Sequence, residues 1–132
     1  MEKMSQFILA TALFLALGCS HAFAFDVSFA WGNIPRCTSG NPGTVGSPQF
    51  KLSGVPTGTA KMTFSLRDQN APGYNHGGGS VAYSGGKSIA AGAFKYKSPC
   101  PPGSTHTYVW TVNAYDKGGK KLGTATVKKK YP

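Results

Sequence analysis

Glycine and proline interrupt this chain every few residues from residue 25 to its end. Both are unfavourable inside a helix, proline because it lacks a backbone donor and glycine because of its conformational entropy. No stretch between the interruptions has the length and the 3.6-residue periodicity of a helix. The chain is therefore limited to short extended segments, and we predict an all-β fold.

The segments between these interruptions alternate apolar and polar residues with a period of two. In the strongest segment, residues 107–115, the residues Tyr108, Trp110, Val112 and Ala114 share one face. Such alternation, with turn residues between the segments, is typical of antiparallel sheets packed as a sandwich or barrel. The pattern predicts an antiparallel β-sandwich of about seven short strands. These strands are expected at residues 25–31, 50–52, 61–67, 81–83, 94–97, 107–115 and 122–127.

The segment 107–115 is apolar or aromatic on both of its faces, so we place it centrally in a sheet. The sequence Asp116-Lys117-Gly118-Gly119-Lys120 follows it and has the composition of a hairpin turn into the last strand. We find no internal repeat and no linker, and we therefore predict a single domain over residues 25–132.

The N-terminus has the organisation of a secretory signal peptide. A lysine precedes an apolar run at residues 7–17, and small residues follow up to Ala22-Phe23-Ala24, an A-x-A cleavage pattern. The run is shorter than the roughly 20 residues of a membrane-spanning helix. We predict that residues 1–24 are removed and that the protein is periplasmic or secreted. In an alternative interpretation Gly18-Cys19 belongs to a lipoprotein signal, and Cys19 carries a lipid anchor.

Two cysteines remain after the predicted cleavage, Cys37 and Cys100. An even pair in an exported protein indicates one disulfide. The loop that it closes is long, so the chain-entropy model gives on the order of 4 kcal/mol of stabilisation. Two free thiols or a metal site are the alternatives, but neither cysteine has the C-x-x-C partner of a zinc site. We expect neither a metal nor another cofactor.

The net charge of +10 results from 14 basic and 4 acidic residues, and it favours anionic partners. The competing interpretation is solubility, because the lysines are scattered along the chain. Lys128-Lys129-Lys130 is the densest basic run, and its position near the end predicts a solvated tail. Lys95, Tyr96 and Lys97 alternate as in some single-strand binders. A solvated lysine face is the better explanation there, because the signal peptide directs the protein away from nucleic acid.

Five motifs in order give the chain a resemblance to the phosphatidylethanolamine-binding protein family, in its bacterial Raf-kinase-inhibitor-like branch. They extend from residue 34 to about residue 116. The motifs are Ile34-Pro35-Arg36-Cys37, Leu52-Ser53-Gly54-Val55-Pro56-Thr57-Gly58-Thr59, Asp68-Gln69-Asn70-Ala71-Pro72, Pro99-Cys100-Pro101-Pro102-Gly103 and His106-Thr107-Tyr108-Val109-Trp110.

The resemblance implies a β-sandwich with a small pocket at one end that binds phosphate or the phosphoryl head group of a phospholipid. Histidine and tyrosine would donate hydrogen bonds to the anion, and prolines would form a rigid wall. An aspartate would fix a histidine tautomer or bind an ammonium group. Carried over to this chain, the pocket residues are Asp68, Pro72, His76, Pro101, His106 and Tyr108.

The sequence departs from the family pattern at two charged positions. The family has Asp-Pro-Asp-Ala-Pro where this chain has Asn70 as the third residue, and it has an arginine where this chain has Thr107. An acid and a base are thus both absent. If they pair in the family, their joint loss leaves no buried charge without a partner. On that argument Asn70→Asp alone is expected to lower stability.

We therefore predict a non-enzymatic exported protein that binds anionic small molecules or phospholipid head groups. The alternative is a protein-interaction module that inhibits an exported protease or another enzyme through the rigid loop 99–103. Catalysis by His76, His106 and Asp68 is the least favoured hypothesis, because the sequence has no nucleophile elbow and few carboxylates. The oligomeric state is not predicted.

Overall fold

The computed structural model describes residues 24–132, which form nine β-strands and no helix. No segment of this part of the chain is a helix long and apolar enough to cross a membrane. The predicted signal peptide and Cys19 lie outside the described residues. The strands are β1 (Asp26–Phe29), β2 (Thr44–Gly46), β3 (Phe50–Ser53), β4 (Lys61–Asp68), β5 (Gly78–Ala82), β6 (Ser88–Ile89), β7 (Lys95–Lys97), β8 (His106–Tyr115) and β9 (Lys121–Tyr131).

The largest sheet has four antiparallel strands in the order β5-β4-β8-β9. Strand β8 lies between β4 and β9, which confirms the central position predicted for residues 107–115. The β8–β9 connection is the predicted hairpin turn, since the Asp116 amide donates to the carbonyl of Lys120 (2.9 Å). The Asp116 carboxylate in turn accepts the Lys120 amide hydrogen (2.8 Å).

The second large sheet has the order β1-β3-β6, and a small third sheet pairs β2 with β7. Each of the seven predicted segments overlaps a strand, which confirms the all-β fold with antiparallel sheets. Strand β5 begins three residues earlier than predicted, and strands β2 and β6 were not predicted. These strands have three and two residues, too few for a period of two to be visible.

The hydrophobic core lies between the four-stranded and the three-stranded sheet, as in a sandwich. The ring of Phe50 in β3 lies 4.7 Å from that of Phe64 in β4 and 5.3 Å from that of Trp110 in β8. In β8 every second residue from Tyr108 to Ala114 is buried, as the alternation predicted. Burial of side chains of this size contributes about 1.5–3 kcal/mol each.

Strand β9 is longer than predicted and includes the lysine run. We expected Lys128-Lys129-Lys130 to be a solvated tail, but these residues pair with Val109, Tyr108 and Thr107 of β8. All three lysines are exposed. They lie on an edge strand, where charged side chains oppose pairing with another chain. The backbone of the run is therefore part of the sheet while its side chains stay in solvent.

The disulfide between Cys37 and Cys100 is formed, as predicted, with the two Cα atoms 4.5 Å apart. It joins the irregular segment after β1 to the proline-rich loop before β8. The Cys37 amide donates to the Tyr131 hydroxyl (3.0 Å), which also fixes this segment to the end of β9. The segment 30–43 contains no strand, so these two links hold it against the sandwich.

Candidate functional site

Three of the six predicted pocket residues meet where β4 ends and β8 begins. Asp68 is the last residue of β4 and pairs across the sheet with Tyr108. Its carboxylate is buried, and its Oδ2 accepts a hydrogen bond from Nδ1 of His106 (2.6 Å). Its Oδ1 accepts the Asn70 amide hydrogen (2.8 Å). This contact fits the first of the two roles that we considered for Asp68, which is to fix the tautomer of His106.

The surroundings of Asp68 favour its charged form. Burial raises the pKa of the carboxyl, but the hydrogen bonds from His106 and the Asn70 amide, with the His106 charge, oppose it. The net effect lowers the pKa of Asp68 below its usual 3.8. The residue is therefore an ionised buried group, which proteins tolerate only when it is paired and hydrogen-bonded.

The Tyr108 side chain lies beside both histidines. Its ring centroid is 5.4 Å from that of His76, at nearly perpendicular planes, and 6.4 Å from that of His106. The hydroxyl is fully buried and meets no hydrogen-bond partner at bonding geometry. Burial raises the pKa of Tyr108 far above its usual range, and the nearby Asp68 charge raises it further. The phenol is therefore protonated, and it lies close enough to the Asp68 carboxylate and the Cys100 backbone to interact with both.

The fourth residue, His76, is held by strand β7. Its Nδ1 lies 2.8 Å from the Lys97 carbonyl oxygen, and because a carbonyl only accepts, Nδ1 carries the proton. The Lys97 amide donates back to the His76 carbonyl (2.8 Å). The ring of Tyr74, which is 41% exposed, packs edge-on against the imidazole at 4.6 Å. With Nδ1 protonated, Nε2 of a neutral His76 is an acceptor.

His76 also lines a small cavity of about 220 Å³ between β7 and the loop before β5. Two of the lining residues, Lys95 and Lys97, are cationic, and no lining residue is acidic. Asn75 and Thr44 add polar side chains to the wall. The other five predicted pocket residues are not among those that line this cavity, so the structure does not gather all six around a single opening.

The two prolines of the predicted set differ in their exposure. Pro101 is fully buried, whereas Pro72 is exposed in the turn after Asp68. Pro99 and Cys100, in the same loop as Pro101, are also buried. The loop 99–103 therefore faces the sandwich with most of its residues and does not project as a rigid binding loop.

The comparisons with known proteins agree on the architecture. No protein-family model and no curated protein matches the chain. Among solved structures it is similar to a phosphatidylethanolamine-binding protein homologue of Chlamydia trachomatis, with a TM-score of 0.57 and 17% identity. That match covers 83% of this chain and 97% of the homologue. It is also similar to Escherichia coli YbcL, described as a member of the mammalian family, with a TM-score of 0.58 and 18% identity over 83% and 98% of the chains.

The chain has the phosphatidylethanolamine-binding protein fold. The resemblance found in five short motifs thus extends to the whole sandwich. In this fold the motif beginning at Asp68 and the motif beginning at His106 lie on adjacent strands β4 and β8, which explains how they form one cluster although they are distant in the sequence.

Within this fold, the two departures from the motif pattern form a contact of their own. The Thr107 amide donates to Oδ1 of Asn70 (2.9 Å), so Asn70 fixes the turn after β4 to β8. Asn70 is exposed and Thr107 half-buried. Our argument that an aspartate at position 70 would strand a buried charge therefore does not hold, because the side chain is in solvent and a carboxylate would accept the same hydrogen bond.

Lys95 and Lys97 line the cavity at His76 but were not among the pocket residues predicted from the sequence. Their alternation with Tyr96 predicted a lysine face in solvent, and both are exposed. Only the hydrogen bonds between His76 and Lys97 place this face beside an imidazole. Nothing in the sequence separation of 21 residues indicates that contact.

Proposed function

We infer that this protein is an exported, non-enzymatic binding protein whose ligand is a small phosphate-like anion, either free or as a phospholipid head group. The family fold supports a binding role in general. The positive net charge of +10 supports an anionic ligand. Export rests on the sequence of residues 1–24, and the absence of a nucleophile elbow supports a role without catalysis.

The observation that carries the proposal is the basic cavity at His76. The buried His76 and two lysine side chains, with no acid among the described lining residues, surround about 220 Å³. Ligand sites for drug-sized molecules have about 300–1,000 Å³. The cavity therefore suits a head group and not a whole lipid. Charge-assisted hydrogen bonds from the lysine ammonium groups are the stronger kind, at about 1.5–3 kcal/mol each.

The neighbouring cluster does not line the cavity. The Tyr108 hydroxyl is fully buried beside the Asp68 carboxylate and the Cys100 backbone, so we do not expect it to contact the ligand. Asp68 is likewise buried and outside the cavity lining. We therefore expect Asp68 to orient His106 through their hydrogen bond and not to bind an ammonium group.

The protein-interaction alternative has less support. It was assigned to the loop 99–103, in which Pro99, Cys100 and Pro101 are buried. Only Pro102 and Gly103 of that loop are exposed to a partner.

The proposal is tested by titrating the oxidised protein with inorganic phosphate and with phosphoethanolamine, following the melting temperature and the heat of binding. A ligand that binds the folded state alone produces a saturable rise in Tm. A Lys95→Gln/Lys97→Gln double variant is expected to bind about ten-fold more weakly, the equivalent of one charged hydrogen bond. Phosphoethanolamine is expected to bind no more tightly than phosphate, because Asp68 is buried and does not line the cavity.

A Lys117→Gln/Lys120→Gln double variant is the matched control, since it removes the same charge from the exposed β8–β9 turn. It should leave the affinity unchanged. Tyr108→Phe should leave the affinity unchanged, because the hydroxyl that it removes is buried and outside the cavity lining. No saturable binding, or equal weakening by both lysine pairs, would reject the anion site and leave a protein partner as the hypothesis to pursue by pull-down.

A further inference from the structure

The structure has a second and larger concavity. Strand β2 contributes to both, with Thr44 lining the first and Val45 and Gly46 lining the second. The second concavity has about 790 Å³ and is formed where the chain leaves β1 and where it enters β3. Ser28 and Lys51, which pair directly across β1 and β3, lie on its floor at the outer face of the three-stranded sheet. Its apolar lining includes Phe29, Trp31, Ile34, Val45 and Pro48. It shares no lining residue with the cavity at His76.

The wall of this groove is held in place although it contains little regular structure. The indole Nε1 of Trp31 donates to the Lys130 carbonyl (2.9 Å). The Trp31 ring also packs edge-on against Phe29 at 4.9 Å and Tyr131 at 5.7 Å. Three residues beyond Ile34, the disulfide at Cys37 fixes the same segment to the loop before β8. The groove is thus formed before a ligand arrives, which lowers the entropic cost of binding.

The described lining of the groove carries a single charge, which is positive. Lys51 is its only charged lining residue. A second cation, Lys129, lies over the ring of Phe29, with Nζ 5.5 Å from the ring centroid. The half-buried Trp31 presents an apolar surface beside them. Ser47, a buried residue of the lining, accepts the Phe94 amide hydrogen with its hydroxyl (3.3 Å) and keeps its own proton to donate.

The apolar lining and the single cation lie side by side in one groove. We propose that the groove binds a single-chain amphiphile with an anionic head. The chain would lie along Trp31, Ile34 and Val45, and the head at Lys51. The volume is within the range of sites that bury a drug-sized ligand. Apolar contact supplies about 25 cal/mol per Å² of buried surface, and the lysine selects the sign of the head group. A fatty carboxylate and an alkyl phosphate share this chemistry.

Trp31 provides the readout, because the other tryptophan, Trp110, is fully buried. The oxidised protein is titrated with decanoate, decyl phosphate and decyltrimethylammonium below their micellar concentrations, following tryptophan fluorescence and the heat of binding. The two anions are expected to give saturable changes, and the cation of equal chain length to bind at least about five-fold more weakly. Inorganic phosphate should leave the fluorescence unchanged.

Two variants locate the site. Lys51→Gln should weaken binding of both anions by up to about five-fold, whereas Lys87→Gln, an exposed lysine outside the lining, should have no effect. Ala91→Phe fills the groove from an exposed lining position and should abolish binding without unfolding the protein. Binding to the Lys95→Gln/Lys97→Gln variant should be unchanged, so this proposal and the phosphate site can fail separately.

Three outcomes would overturn the proposal. Equal affinity for decyltrimethylammonium would show that the lysine does not select the head group. Equal effects of Lys51→Gln and Lys87→Gln would show that only the overall charge matters. No saturable change with either anion would show that the groove does not take an amphiphile.

Discussion

The Asp68 carboxylate connects two elements and a histidine through its two oxygens. Oδ2 fixes His106 at the start of β8, and Oδ1 accepts the Asn70 amide in the turn after β4. Because the group is buried and ionised, its hydrogen bonds are a condition of the folded state and not an addition to it. Removal of the Asp68 carboxylate should therefore lower the free energy of unfolding by an amount that depends on pH.

Asp68→Asn tests this linkage. The folded pKa of Asp68 lies below its usual 3.8, so folding favours the ionised form. The resulting stability is fully present above about pH 4 and is lost as pH falls through the lowered pKa. Loss of the charged acceptor is expected to cost about 1–3 kcal/mol at pH 7. Urea unfolding between pH 2 and pH 7 should show a flatter acid limb in the variant than in the wild type.

Asp26→Asn is the matched control for that experiment. Asp26 is exposed in β1, and its neutralisation should leave both the stability at pH 7 and the acid limb nearly unchanged. If the two variants had the same pH profile, the His106–Asp68 contact would contribute no more than a surface charge.

The sequence identified the residues of this cluster but not their geometry. Asp68, His106 and Tyr108 could be chosen because their residue types recur in ordered motifs, and antiparallel pairing of β4 with β8 then brings them together. The basic cavity could not be predicted in the same way. It depends on His76 meeting β7 through backbone hydrogen bonds, and tertiary contacts of this kind have no periodicity.

At the scale of the elements, the glycines of β5 serve close packing. A run of three glycines such as Gly77-Gly78-Gly79 is typical of a loop, but Gly78 and Gly79 pair with Ser65 and Phe64 of β4. A Cβ at Gly79 would lie 2.5 Å from Cβ of Phe94. At Gly78 a Cβ would collide with the Phe64 carbonyl. Both positions therefore need glycine for its small volume.

Gly79→Ala should consequently destabilise the protein. The added methyl group would push against the ring of Phe94, which packs on Phe64 at 5.0 Å, and overpacking of this kind costs about 1–3 kcal/mol. The control is Gly43→Ala, where a Cβ meets no atom within 4 Å. Thermal unfolding of both variants gives the comparison. A Gly79→Ala protein as stable as the control would mean that Phe94 can move aside.

Strand prediction succeeded where side-chain alternation was long enough to be seen. Strands β4 and β8, of eight and ten residues, have alternating burial throughout. Strand β9 was predicted too short because Lys128 to Lys130 have no apolar partner in the run. Its extension is imposed by pairing with β8. Local patterns could not reveal that constraint, since it comes from the neighbouring strand.

For the molecule as a whole, the two proposed sites are on a scaffold with one covalent link. Cys37 follows the wall of the amphiphile groove, and Cys100 precedes the strand that holds His106 and Tyr108. The domain is small, and a domain of about a hundred residues has a net stability of only about 5–15 kcal/mol. A crosslink that closes a loop across a sequence separation of 63 residues is therefore a large part of the total.

Replacement of both cysteines by serine is expected to lower the free energy of unfolding by about 4 kcal/mol, because the unfolded chain regains the entropy of an open loop. Urea unfolding should show a lower midpoint with a somewhat larger m-value, since the released chain exposes more surface. Reductant should reproduce the effect in the wild type and have none on the variant.

The fluorescence of Trp31 distinguishes an effect of the crosslink on the unfolded state from an effect on the folded groove wall. If the crosslink acts only on the unfolded state, the folded variant keeps its native emission and its affinity for decyl phosphate. If it also holds the groove wall, both change under conditions where the protein is still folded, because the remaining hydrogen bonds from Trp31 and Cys37 do not suffice to fix residues 30–43.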